Sequence, residues 1–254
     1  MLFRLPDRLT SEAFSYFSGE IYSSLTPDIR DFLMKTALFD ELDTRILATF
    51  FRDADPVGIL GSLEKRNLFI GKISAGGQWP VFKYNNLFRD FLKADLTATL
   101  AAEEVAALNR KAGDIFWEHD RYETAVSYFM AGDAHREVAR IVRIKGAEYV
   151  ITGRADRLSA WIDALPETMT REDPWLIFFS VMTRRIKGGK QNISDFRQAL
   201  DLFVRRSDIR GQLLCIAYLI EASVFMRQPS QVILKWIGQG EQTLAGLKDR
   251  KSVV

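Results

Sequence analysis

Apolar residues recur at a spacing of three and four from near the start of the chain, which is the signature of helices with one buried face. Phe14, Phe17, Ile21 and Leu25 share such a face. Pro27 suits a first helical position and Asp28 complements the positive helix end. Ile29, Phe32, Leu33 and Thr36 form the next inward stripe, a further helix covers Asp43 to Phe51, and another runs from Asp55 to Arg66, buried through Ile59, Leu60 and Leu63. The period then shortens. Asn67 to Ile73 reads as a strand, Ser74 to Gln78 as a turn, and Trp79 to Tyr84 as a second strand. Pro80 has no N–H to give a ladder, so that strand is expected at a sheet edge. A helix with Leu87, Phe88, Phe91 and Leu92 facing inward follows. Helices followed by a hairpin make the layout of a winged helix.

From about Ala101 the strand signal ends. Helical segments alternate with breaks at His119-Asp120, Gly132-Asp133, Thr152-Gly153, Leu165-Pro166 and Gly188-Gly189. Within Gly113 to Gly132, small residues (Gly113, Ala125, Gly132) fall where two helices would cross closely, and aromatics (Phe116, Tyr122, Phe129) fill the spaces between. That is the pattern of a tetratricopeptide unit, a helix pair that must stack on neighbours to bury its apolar face. The later pairs follow it only loosely. The expected fold is all-α: a winged helix with a small β-hairpin over residues 1–98, then a tetratricopeptide-like α-superhelix over 99–254.

Composition narrows the function. The chain is 47% hydrophobic, enough for real cores. Thirty-five Lys and Arg face 33 Asp and Glu, whereas a dedicated nucleic-acid binder usually carries a strong basic excess. The single cysteine, Cys215, sits in an apolar run and reads as a small buried hydrophobe. The start of the chain has no signal-peptide core and no apolar run is long enough to span a bilayer, so the expected compartment is the cytoplasm. The two histidines, His119 and His135, lack the spacing of a helical zinc pair and have no nucleophile elbow beside them, so no metal site and no enzyme activity are expected.

Three stretches carry a family resemblance. Asp28 to Leu42 resembles the first winged-helix segment of the maltose-activator-like regulators, the large ATP-binding LuxR-type family of signal-transduction NTPases. Leu63 to Phe69 with Phe82 to Leu92 resembles that family's wing and following helix, and Trp161 to Pro166 with Pro174 to Leu176 its first superhelical repeats. The resemblance covers about residues 10 to 190. It implies a nucleotide domain upstream and a DNA-binding helix-turn-helix downstream. No G-x-x-x-x-G-K-[ST] phosphate cradle occurs here, so ATP or ADP is implied only for the upstream domain and no cofactor for this chain. The expectation is the linker domain and the start of the sensor of a larger regulator. In related NTPases the helix after the wing often opens with a His that contacts the β-phosphate of ADP and holds the off-state. Asn85 stands at that place, as an uncharged donor that would weaken such a lock, or as a plain helix N-cap.

Other surfaces divide between bland and functional readings. The candidate recognition helix opens among Asp53 and Asp55, so direct DNA binding by this segment is not expected. Arg136, Arg140 and Arg143 form a basic stripe, either a solvated face or a contact for a small anionic inducer or an acidic partner. Arg184, Arg185, Lys187 and Lys190 cluster at a helix end, where the dipole favours cations. In the last helix, Ile233 and Trp236 are expected exposed or paired, as an interface for a second copy or for further repeats. The function expected is the non-catalytic regulatory part of a signal-responsive regulator, with a free-standing scaffold that binds protein partners as the alternative.

Overall fold

The structure, a computed structural model, describes residues 22–66, 69–74, 77–188 and 193–251, with side chains described up to residue 246. The stripe expected at Phe14, Phe17 and Ile21 lies outside the described residues. Described secondary structure begins with α1 (Pro27–Thr36), which has Pro27 in its first turn and buries Phe32, Leu33, Met34 and Thr36. A two-residue strand, β1 (Leu42–Asp43), leads into α2 (Thr44–Phe50), capped by Asp43. Then come α3 (Pro56–Lys65), capped by Asp55 on the Gly58 N–H, the wing strands β2 (Ile70–Ser74) and β3 (Val81–Tyr84), and α4 (Asn86–Thr99).

The sheet corrects one expectation. Its order is β1-β3-β2, so the strand after Pro80 is central and β2 is at an edge. Leu42 pairs with Phe82 and Asp43 with Val81. Pro80 is tolerated because it lies just outside the ladder and offers only its carbonyl, which accepts the Thr44 N–H (3.3 Å) and hydroxyl (2.8 Å). A two-residue strand has no periodicity to detect, which is why β1 escaped the pattern. Leu87 is a second correction: it is 40% exposed, and α4 instead buries Phe88, Leu92 and Leu96. The hydroxyls of Thr36, Tyr84 and Tyr22 in this core are paired. The Thr36 hydroxyl donates to the Leu33 carbonyl and so accepts from Tyr84 Oη at 2.7 Å, while Tyr22 donates to Asp95 at 2.6 Å.

The first repeat pair, α5 (Ala102–Glu118) and α6 (Tyr122–Ala131), is as close as its small residues suggest. A Cβ on Gly113 would stand 2.5 Å from the Phe129 ring, and one on Gly132 would stand 2.8 Å from the Ala106 carbonyl. Ala125 is fully buried. The pair does not stand apart from the winged helix. Phe39 is 1% exposed, with its ring against Phe50 at 5.2 Å on one side and against Tyr128 at 5.6 Å and Phe116 at 6.2 Å on the other. The Leu38 carbonyl accepts the Tyr128 hydroxyl at 3.2 Å, and the Arg89 Nε donates to the Ala37 carbonyl at 3.1 Å while its guanidinium pairs with Asp40. Lys111 lies over the Phe50 ring. A first compact unit therefore runs to Ala134 and a second from His135 to Val254. The strand signal ends near residue 98, but packing continues across it.

The second unit comprises α7 (His135–Ile151), α8 (Ala155–Asp163), the short α9 (Glu167–Glu172), α10 (Pro174–Ile186), α11 (Ile193–Arg205), α12 (Ile209–Phe225) and α13 (Ser230–Lys251). Its centre is α10, apolar almost all round, which meets α7, α8 and α11 and buries Trp175 through Phe179 in sequence. The close approach of Gly113 recurs: a Cβ on Gly146 would meet the Phe179 ring at 2.6 Å and one on Gly211 the Phe203 ring at 2.3 Å. Turns also recur. Asp120, Asp133, Gly153, Ser207 and Arg227 each adopt positive φ after a helix, and the N–H of the following residue returns to a carbonyl one turn back, as from Arg121 to Phe116 and Asp208 to Phe203, both at 2.9 Å.

These packings give definite expectations. Gly113→Ala forces the Phe129 ring to move and should cost about 1–3 kcal/mol, read as a lower denaturation midpoint. A fragment ending at residue 98 uncovers Phe39 and Phe50 and should be markedly less stable in urea than one ending at residue 134; equal midpoints would show the α5–α6 pair to be dispensable. Burial, with Asp208 nearby, pushes the Cys215 thiol up to about 12. It should therefore resist a disulfide reagent near pH 8 in the folded chain and react promptly in denaturant.

Candidate interaction surfaces

Asn85 sits between β3 and α4. Its N–H donates to the Phe69 carbonyl at 2.7 Å, and its side-chain oxygen accepts the Leu87 N–H at 2.9 Å, so it is the N-cap of α4. The residue is exposed, beside the exposed Leu87 and the partly exposed Phe69. With its oxygen used by the cap, the outward-facing capacity of Asn85 is its amide donor.

The arginine stripe of α7 is exposed at all three positions. Arg143 reaches out of the stripe to Asp173 at 2.8 Å. Asp173 is a structural junction, because it also accepts the Trp175 and Leu176 N–H groups as the cap of α10 and faces Arg206 at 3.7 Å. Arg136 and Arg140 occupy the other two exposed positions of the stripe. The second basic cluster lies at a helix end as expected, with Arg184 and Arg185 in the last turn of α10, and its side chains are also paired. Arg184 pairs with Asp195 at 2.7 Å, Arg185 with Glu221, and Lys187 with Asp156 at 2.9 Å. The Arg185 guanidinium holds the Glu221 carboxyl below the usual glutamate range. These side chains bridge neighbouring helices; Lys190 lies outside the described residues.

At the last hairpin, Trp236 departs from its expected exposure. It is 7% exposed, covered within the chain, with the Arg197 guanidinium 5.6 Å from its ring. Ile233 is half-buried. Trp236 and Gly240 lie one turn apart, and Gly240 approaches Ile216 of α12. The exposed apolar residues of α13 are instead Leu234 (63%), Ile237 (40%) and Leu244 (49%). Trp236 is the largest side chain of the helix and the natural anchor by size alone, yet it belongs to the covered face. The 3-4-3 spacing of Leu234, Ile237, Glu241 and Leu244 was legible but competed with the equally apolar inner stripe. Among the described residues no cluster of His, Cys, Asp or Glu could hold a metal ion, and no helix is long and apolar enough to cross a membrane.

Residues 18–104 match the MalT winged helix domain family. The HTH-type transcriptional regulator MalT of Vibrio campbellii is 22% identical over 161 residues, which are 63% of this chain and 18% of that protein. The MalT of Vibrio cholerae is 24% identical over the same length, and that of Cronobacter sakazakii 26% over 132 residues, 52% of this chain and 14% of that one. The chain thus spans less than one-fifth of the length of these relatives. Among solved structures, a signal transduction ATPase with numerous domains (STAND) protein with a tetratricopeptide repeat sensor, from Pyrococcus horikoshii, superposes with a TM-score of 0.62 at 14% identity, over 92% of this chain and 34% of that one. At that identity the likeness concerns the fold: a winged helix followed by helical repeats. Residues 18–104 thus match the MalT winged helix domain, and the chain is similar in sequence to part of MalT-type transcriptional regulators and in fold to a winged helix followed by helical repeats.

Proposed function

We propose that this chain is the linker and sensor-entry part of a signal-responsive, ATP-dependent LuxR-type regulator that works in the cytoplasm. The observation that carries this reading is the junction around Phe39. A winged helix that reads DNA needs a free recognition helix, yet here α3 opens with the carboxylate of Asp55 and carries its cations, Lys65 and Arg66, at its far end. The winged helix is instead bound to the first repeat pair by Phe39, Arg89 and Tyr128. Such a body suits the transmission of a state between neighbouring domains better than groove reading. The helical pairs then supply the surface for an inducer or a protein partner, with the exposed arginine stripe of α7 (Arg136, Arg140 and Arg143) as the candidate contact.

Within this reading, nucleotide binds to an upstream domain and Asn85 presents an uncharged amide toward the β-phosphate of ADP, where the related His would present a charge-assisted donor. The ADP-held off-state is then shallow. A P-loop upstream and a helix-turn-helix downstream in the genomic reading frame are the direct test; their joint absence would favour a free-standing scaffold.

Two measurements follow. In calorimetric titration the isolated chain should bind neither ATP nor ADP at micromolar concentrations, since it has no phosphate cradle. Micromolar binding would overturn the division of labour. In the intact regulator, Asn85→His should slow ADP release and lower inducer-free transcription. Asn85→Ala should only remove a cap, at about 1 kcal/mol of stability. If the histidine variant leaves both ADP release and transcription unchanged, Asn85 is a cap and nothing more.

A further inference from the structure

Leu234, Ile237, Glu241 and Leu244 follow one another at intervals of three, four and three residues along α13, so they lie on one stripe of the helix. All four are exposed. The adjoining side of the helix, through Trp236 and Gly240, is the one turned to the rest of the chain. The spacing is that of the a and d positions of a two-helix seam, with one carboxylate in the middle of the apolar row. At the turn end of the same hairpin, Val224 and Phe225 add 58% and 77% exposed apolar side chains. Isolated exposed hydrophobes need no explanation, but a row in seam register does.

Charge decides what can cover the row. If two copies paired in parallel along this stripe, Glu241 would face Glu241. In antiparallel pairing with the apolar positions in register, each Glu241 would face Ile237 of the other copy. In neither arrangement does a cation meet the carboxylate, and an enclosed carboxylate without a partner is strongly unfavourable. We propose that the outer stripe of α13 docks an amphipathic helix that carries a lysine or arginine opposite Glu241, between apolar residues that meet Leu234, Ile237 and Leu244. The carboxylate then serves two purposes: it selects a cationic partner helix and it opposes self-association. The inference deepens the reading of the chain as the interaction part of a regulator and rests on it.

The test uses the full 254-residue chain and two synthetic helices of about three heptads, with leucine at the seam positions and either lysine or glutamate at the central one. In fluorescence anisotropy the lysine helix should bind about tenfold tighter or more than its glutamate twin, and Glu241→Lys should reverse the order. Leu234→Asp should abolish binding at unchanged helicity by circular dichroism. Equal affinity for the two helices overturns the proposal, as does failure of the folded chain to bind the lysine helix. So does a wild-type dimer in sedimentation that Leu234→Asp dissociates, which would assign the stripe to a second copy. The regulator reading falls separately, on the flanking reading frame.

Discussion

A phenylalanine ring seated on the bare backbone of a glycine in a neighbouring helix sets the spacing of the helical part of this protein. Phe129 fills the space above Gly113, Phe179 that above Gly146, and Phe203 that above Gly211. Each ring is nearly or fully buried. A methyl group on any of these glycines would collide with a ring that is itself packed on its far side, so the helix pair cannot simply open to admit it. Much else follows from this distance. Trp175 stacks on Phe179 and meets Phe203 edge-on, so two of the seated rings share one aromatic neighbour, whose indole N–H reaches Asp208 at 2.8 Å. The same Asp208 caps α12 through the Gly211 N–H. One acidic side chain thereby fixes both the start of a helix and the aromatic against which it packs.

Helix stripes were legible from the sequence wherever a side chain's fate depends on its own helix. Phe32, Leu33, Leu60, Leu63, Phe88 and Leu92 are buried as their spacing implies. The small residues of the first repeat pair announced a close crossing, and the crossing is there. What escaped depends on partners distant in the chain. Nothing near Leu42 says that it lies beside Phe82, so β3 could not be recognised as central. The turns hid for a different reason: of the five that reuse one positive-φ geometry, only that at Gly153 carries a glycine, and Asp120, Asp133, Ser207 and Arg227 bear the strain of a side chain there.

Candidate sites were less legible than the fold, for the same reason. The arginines of α7 were visible as a stripe, but only the fold brings Asp173 to Arg143 and removes that cation from the row. Arg184, Arg185 and Lys187 looked like a cluster because they adjoin in sequence, yet each turns to a different acidic partner on a different element. Trp236 has the size of an anchor, yet it is buried within the chain. Charge and bulk in one dimension record what a segment has available, and packing decides how much of it remains for a partner.

The segment from Ala37 to Leu42 shows what such packing costs in evolutionary freedom. It contains no helix and only the first residue of a two-residue strand, and connecting segments of that kind usually accept added or lost residues. Here the carbonyls of Ala37 and Leu38, the ring of Phe39, the carboxylate of Asp40 and the backbone of Leu42 are tied to three fixed elements, α4, α6 and β3. A single inserted residue would displace every one of these at once, and no adjustment at one end could restore the others. The length of this short stretch is therefore as constrained as the identity of any core residue, and variation among homologous chains should appear there as substitution and not as a gap.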